Sequence, residues 1–169
     1  MALSKADFNN INVTPAASKK LKWNASANGF ETGDVGGSMV LLSTATASSS
    51  ANLTFDSSID STYNIYLFKY INIHPATNGE QLKINFRDGS TAYDATKTTS
   101  FFRAIHNEAG NDSELAYRTA QDLAQGTGAA HLTQGIGTDN DQSASGQLML
   151  FAPSSTTFVK HFIARTNTY

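Results

Sequence analysis

The four histidines, His74, His106, His131 and His161, are the side chains best suited to hold a metal or move a proton, and they are scattered along the chain. A zinc centre needs three or four converging ligands, normally anchored by a close pair of recognised spacing. His106-Asn107-Glu108 comes nearest to such a pair, and it reads better as a strand end than as a centre. Asp139-Asn140-Asp141 offers oxygen ligands, but a calcium loop also requires further acids, a glycine at its turn and a distant glutamate. Nearly all carboxylates fall in expected turns, where solvent keeps them ionised, so the raised-pKa acid that paired-carboxylate hydrolysis needs is not expected. The chain has no cysteine and no Gly-x-Ser-x-Gly elbow, and Gly33-Asp34-Val35-Gly36-Gly37 lacks the lysine of a phosphate loop. No catalytic, cofactor-binding or metal-binding residue is therefore expected, and the chain reads as a non-enzyme.

Aromatic residues carry more information than titratable ones. Trp23 and the tyrosines can stack on sugar rings, but a lone tryptophan in a poorly patterned segment reads more naturally as an anchor pinning that segment to a neighbouring surface. The run Tyr63-Asn64-Ile65-Tyr66-Leu67-Phe68-Lys69-Tyr70-Ile71-Asn72-Ile73 reads as one long strand. Period two puts Ile65, Leu67, Ile71 and Ile73 on one side and Tyr66, Phe68 and Tyr70 on the other. A strand apolar on both faces needs cover on both, and part of that cover is expected from another subunit. The expected interface residues are Phe8, Trp23, Phe30, Tyr66, Phe68 and Tyr70.

The elements that position these residues are strands. Residues 1–36 show apolar positions without a sustained period and read as an irregular attachment arm, with a short helical turn possible from Ala16 to Leu21 after Pro15. Residues 37–169 read as a β-sandwich domain. Its expected strands cover Ser38 to Ser43, Asn52 to Phe55, Tyr63 to Ile73, Gln81 to Arg87, Ser100 to His106, Gly146 to Ala152 and Thr157 to Arg165, with Asn111 to Gln125 read as strand in preference to helix. Asn78-Gly79 and Asp88-Gly89 mark chain reversals, and the first predicts a hairpin between the long strand and its successor. Residues 126–145 read as a long loop given over to contacts. Short strands separated by turn signals define an all-β fold, an antiparallel β-sandwich, jelly-roll-like in the specific expectation.

Composition narrows the partners. A formal charge of −2 and a pI near 6.0 argue against nucleic acid, which needs a concentrated cationic excess. No apolar run approaches the roughly 18 residues of a membrane span, and the start lacks the apolar region of a secretory signal. Charge is unevenly placed: Lys5, Lys19, Lys20 and Lys22 face only Asp7 in residues 1–23, whereas residues 108–141 carry six acids against Arg118 alone. Pairing of the acidic segment of one copy with the basic arm of another follows as an expectation. Ser, Thr and Asn make up about 30% of the chain, which suits strand faces and loops, as well as close packing of identical copies.

The wording of four stretches resembles virion structural proteins of marine tailed phages that infect cyanobacteria and related ocean bacteria. They are Leu3-Ser4-Lys5-Ala6-Asp7-Phe8-Asn9-Asn10-Ile11-Asn12-Val13-Thr14-Pro15-Ala16-Ala17-Ser18, Lys22-Trp23-Asn24 through Asn28-Gly29-Phe30-Glu31-Thr32, Thr98-Thr99-Ser100-Phe101-Phe102-Arg103-Ala104, and Pro153-Ser154-Ser155-Thr156-Thr157-Phe158-Val159-Lys160. The resemblance implies a non-enzymatic fibre, tail or capsid-decorating protein located in the virion, with other copies of itself and other virion proteins as partners. It carries no site motif. A host-glycan-binding module on the tail, reading sugars through residues 126–145 and exposed aromatics, is the alternative. Similar sequences continue past the Phe158–Arg165 segment, which implies either a partner that closes the sheet or a longer product.

Overall fold

Extended backbone dominates the computed structural model, which describes residues 13–14, 16–17, 19–34 and 39–169. Eleven strands and no helix form among the described residues: β1 (Lys19–Trp23), β2 (Phe30–Asp34), β3 (Ile65–Ile73), β4 (Lys83–Ile84), β5 (Lys97–Thr99), β6 (Phe102–His106), β7 (Ser113–Tyr117), β8 (Leu123–Gly126), β9 (Ala130–His131), β10 (Ala144–Phe151) and β11 (His161–Thr168). Every pairing is antiparallel. The expected all-β class is thus what the chain adopts. A jelly roll proper has eight strands in two sheets; the largest sheet here has three, in the order β11-β10-β3, and the other four have two each.

The chain divides into two compact units, one reaching to Thr44 and one running from Ala45 to Tyr169. In the first, the segment expected to be irregular forms a hairpin in which β1 pairs with β2 from Lys19↔Asp34 to Trp23↔Phe30. Its turn is tied by Asn24, whose side-chain oxygen accepts from the Asn28 N–H at 3.2 Å and whose own N–H donates to the Gly29 carbonyl at 2.9 Å. The helical turn considered over Ala16 to Leu21 gives way to strand from Lys19, because cross-strand contacts such as Lys22–Glu31 at 3.1 Å reward the extended form. Of the strand expected over Ser38 to Ser43, the described part from Met39 runs without a ladder partner among the described residues, and so does Asn52 to Phe55.

In the second unit β10 is the middle strand of the main sheet, and its alternate residues Ala144, Leu148 and Leu150 are buried. On the same face lie Tyr66, Phe68 and Tyr70 of β3 and Phe162 and Ala164 of β11, set by the registers Leu150↔Tyr66, Leu148↔Phe68, Leu150↔Phe162 and Leu148↔Ala164. Leu132, Leu82, Ile84, Phe86 and Ile59 close over this face and make the core. Residues 126–145 are therefore not simply an outer loop: Ala130, Leu132, Thr133 and Ile136 are buried, and β9 pairs with β4.

The hairpin expected between β3 and its successor does not form. Gly79 has φ of +83°, as the Asn-Gly reversal requires, but its N–H donates to the Ile136 carbonyl at 2.9 Å and the Ile136 N–H donates to Glu80 at 2.7 Å. The chain is passed to the opposite layer, leaving β3 to pair with β10 over almost its whole length. Within the strand expected over Gln81 to Arg87, Leu82, Ile84 and Phe86 alternate inward onto the core, although only Lys83–Ile84 is strand.

Gly146 lets the Tyr70 side chain cross β10 to reach Thr166 on β11. A Cβ at this position would lie 2.8 Å from the Tyr70 ring and would strike the Arg165 carbonyl oxygen. Gly146→Ala is expected to lower the unfolding free energy by about 1–3 kcal/mol through overpacking. Leu148→Ala, at a fully buried position, should lower it by about 3 kcal/mol. Urea unfolding midpoints at unchanged slope would check both.

Candidate assembly interface

The second face of the main sheet is open. By register, Ile65 sits beside Phe151 and Phe151 beside His161; Leu67, Met149 and Ile163 form the next row; Lys69, Gln147 and Arg165 form the third. Ile65 is 55% exposed, Ile163 is 56% exposed and Ile71 is 72% exposed, while Leu67, Met149 and Phe151 are half-buried. Phe158 and Val159, exposed in the β10–β11 connection, lie just before the apolar end of this face. The surface thus runs from an apolar end at Ile65 and Phe151 to a cationic row at Lys69 and Arg165. Contiguous apolar patches are uncommon on isolated soluble chains unless something binds there. Among the described residues the sheet also has two unpaired edges, β3 and β11.

One expectation is corrected at this face. Tyr66 is 4% exposed and its hydroxyl is engaged by Asp60, accepting from the Asp60 N–H at 2.9 Å and donating to the Asp60 carbonyl at 3.0 Å. It is a core residue of its own chain. Phe68 and Tyr70 pack against the same core, with Tyr70 also hydrogen-bonded to Thr166. Burial raises the Tyr70 phenol above its ordinary value despite that bond. The aromatic side of β3 is therefore covered from within by the Leu82–Phe86 stretch and Leu132, and among the described residues it is the aliphatic side, with Ile65 and Ile71, that stays exposed. Ile73 also changes sides. Two residues, Ile71 and Asn72, face Ser145 alone, and this bulge sets Ile73 opposite Ala144 on the inner face.

Trp23 and Phe30 meet directly, stacked at 4.5 Å between ring centroids with 26° between planes, and both remain exposed. Phe8 lies outside the described residues. The fold brings Trp23 to Phe30, and Tyr66 to Phe68 and Tyr70, as two separate groups in two separate units.

A second open surface belongs to the β6–β7 hairpin, which sequence reasoning missed. Phe102, Leu115 and Tyr117 are exposed on one side, with the Phe102 and Tyr117 rings 5.2 Å apart. The alternation Phe102-Arg103-Ala104-Ile105-His106 against Ser113-Glu114-Leu115-Ala116-Tyr117 was the available signal. On the other side Glu114 accepts from Arg103 at 2.9 Å and also pairs with Arg118. Lys97 was missed as well. It is buried, its ammonium donates to the Asn85 side chain and the Ala95 carbonyl, and desolvation lowers its pKa against the opposing pull of Asp94 and Asp88. These acceptors make it a tie across residues 85–97.

Among the described residues no group of three or more histidines and acids is placed to hold a metal ion. No helix of the described residues is long and apolar enough to cross a membrane. No family model, curated protein or solved structure matches the chain.

The Glu114 carboxyl is held below its ordinary value first by the Arg103 hydrogen bond and then by the charges of Arg118 and Arg103, with desolvation opposing them. A depressed carboxyl contributes stability that is present above its unfolded value, 4.5, and is lost as pH falls through the folded one. Amide exchange in β6 and β7 should therefore accelerate relative to the main sheet when pH is lowered from 6 towards 3 after correction for intrinsic rates, and Glu114→Gln should remove that extra acceleration.

Proposed function

We propose that this chain is a non-enzymatic structural component of a tailed-phage virion, a fibre, tail or capsid-decorating protein, whose work is to fix the geometry between copies of itself and other virion proteins. The observation that carries the reading is the uncovered apolar side of the main sheet, Ile65, Leu67, Met149, Phe151 and Ile163, on a strand trio whose other side is the core. A three-stranded sheet with two free edges is a ready template for further strands. The jelly-roll-like sandwich is, in this reading, completed by neighbouring chains along β3 or β11. The resemblance of four stretches to marine-phage virion proteins is the sequence-side motive for the reading, and the exposed Trp23–Phe30 stack suits an attachment element in the segment preceding residue 37.

The test is association state. Sedimentation of the full chain is expected to show concentration-dependent oligomers. Met149→Glu with Ile163→Glu, both on the outer face, should give monomers whose thermal midpoint falls by no more than a few degrees, since neither side chain belongs to the core cluster. A wild-type chain that stays a single monomeric species up to the highest concentrations reached would overturn the proposal. Electron density for a particle containing the chain would then place it or exclude it.

A further inference from the structure

A polar cleft of about 430 Å³ opens where β3 ends and β10 begins, lined by Asn72, His74, Asn140, Asp141, Gln142 and Ser143. It sits at the Ala144 end of the sheet, and the apolar strip lies towards the Phe151 end. Along β10 the separation is about 20 Å at the rise of an extended strand.

The backbone holds this cleft in one shape. Asn72 occupies the bulge with φ of 52°, an uncommon conformation for a residue with a side chain, and its N–H donates to Ser145 Oγ at 3.0 Å instead of to a ladder partner. Bulges commonly re-aim a side chain beside a functional site. Residues 139–142 form a closed turn: the Gln142 N–H donates to the Asp139 carbonyl at 2.9 Å, and Gln142 Oε1 accepts from the Asp139 N–H at 3.2 Å. Gly137 leaves the space that the Gln142 side chain fills. Asn140 and Asp141 are thereby presented at the turn's tip. His74 Nδ1 lies 2.7 Å from the Gln142 carbonyl, which can only accept, so Nδ1 carries the proton and Nε2 of the neutral ring is left as an acceptor. Tyr169 neighbours the lining residue Ser143, its N–H bonded to the Ser143 carbonyl at 3.3 Å; the residue is 54% exposed, and the Glu108 carboxylate holds its phenol above the ordinary value.

We propose that this cleft is a binding site for a neutral sugar ring, with the amides of Asn72 and Asn140, the Asp141 carboxylate and His74 Nε2 addressing hydroxyls and the Tyr169 ring covering a CH face. A hydroxyl is donor and acceptor at once, and a set that mixes amide donors with carboxylate and imidazole acceptors matches adjacent hydroxyls. The lining contains no Lys or Arg, and Asp139 and Asp141 bear on the same region, so phosphate, sulfate and acidic sugars are disfavoured. Apolar side chains are missing from the lining too, which disfavours acyl chains. The volume falls within the roughly 300–1,000 Å³ usual for small-molecule sites.

Saturation-transfer NMR on the full chain tests this with glucose, galactose, mannose and N-acetylglucosamine as neutral probes and N-acetylneuraminic acid and methyl phosphate as anionic ones. Saturable binding of at least one neutral sugar, and of neither anion, is expected. Asp141→Ala and, should that variant unfold, Asp141→Asn should weaken it at least about tenfold, and Tyr169→Ala should remove transfer to the sugar CH protons. Absence of saturable binding to all four neutral sugars, preference for an anion, or binding unchanged in the folded Asp141 and Tyr169 variants would overturn the proposal. The Met149→Glu with Ile163→Glu variant should keep the binding, so this proposal and the assembly reading fail separately.

Discussion

Burial of the aromatic side of β3 against the Leu82–Phe86 stretch and Leu132 is the contact on which the larger unit depends. Tyr66, Leu148, Leu150 and Leu132 form its buried centre, and Ile59, Leu82, Ile84, Phe86 and Phe162 pack against it. At about 25 cal/mol per Å² of apolar surface removed from water, a few such side chains outweigh any of the exposed ion pairs, which are typically worth under about 1 kcal/mol. The Asp60 contacts of the Tyr66 hydroxyl let a phenol sit in that centre without an unmatched polar group. Because this contact uses one face of the sheet only, it decides by exclusion which residues remain for other molecules.

What could be read from the chain beforehand was what depends on neighbours in sequence. Alternation in Ile65 to Ile71 gave the two faces correctly, since side-chain direction along extended backbone is a local property. Gly79 and Gly89 were read as reversals and adopt positive φ. Partner choice was not legible. Whether β3 pairs with the next strand or with β10 depends on where residues 130–136 go, and nothing near Asn78-Gly79 encodes that. The same limit explains why Tyr66, Phe68 and Tyr70 were assigned to an interface: both sides of β3 are apolar, and only the tertiary fold says which is covered. Ile73 was misplaced because a bulge inserts a single residue, and period-two reading assumes none.

The cleft was hidden for a different reason. Asn72 and His74 lie about seventy positions from Asn140 to Ser143, and each group alone is ordinary for a chain rich in Asn and Ser. The hairpin arm escaped because aperiodic apolar positions look irregular when the strands are five residues long and their turn, from Asn24 to Gly29, is held by amide side chains. Short strands carry too few alternations to stand out.

The bulge at Asn72 has one more implication. Because two residues of β3 share a single partner there, the phase of the strand resets between Tyr70 and Ile73, and the two ends of the sheet no longer answer to one pattern of inward and outward side chains. Substitutions that reshape the greasy half leave the polar rim in step, and the reverse holds as well. A lineage carrying this sheet can therefore vary the side chains at one end while keeping, residue for residue, those at the other.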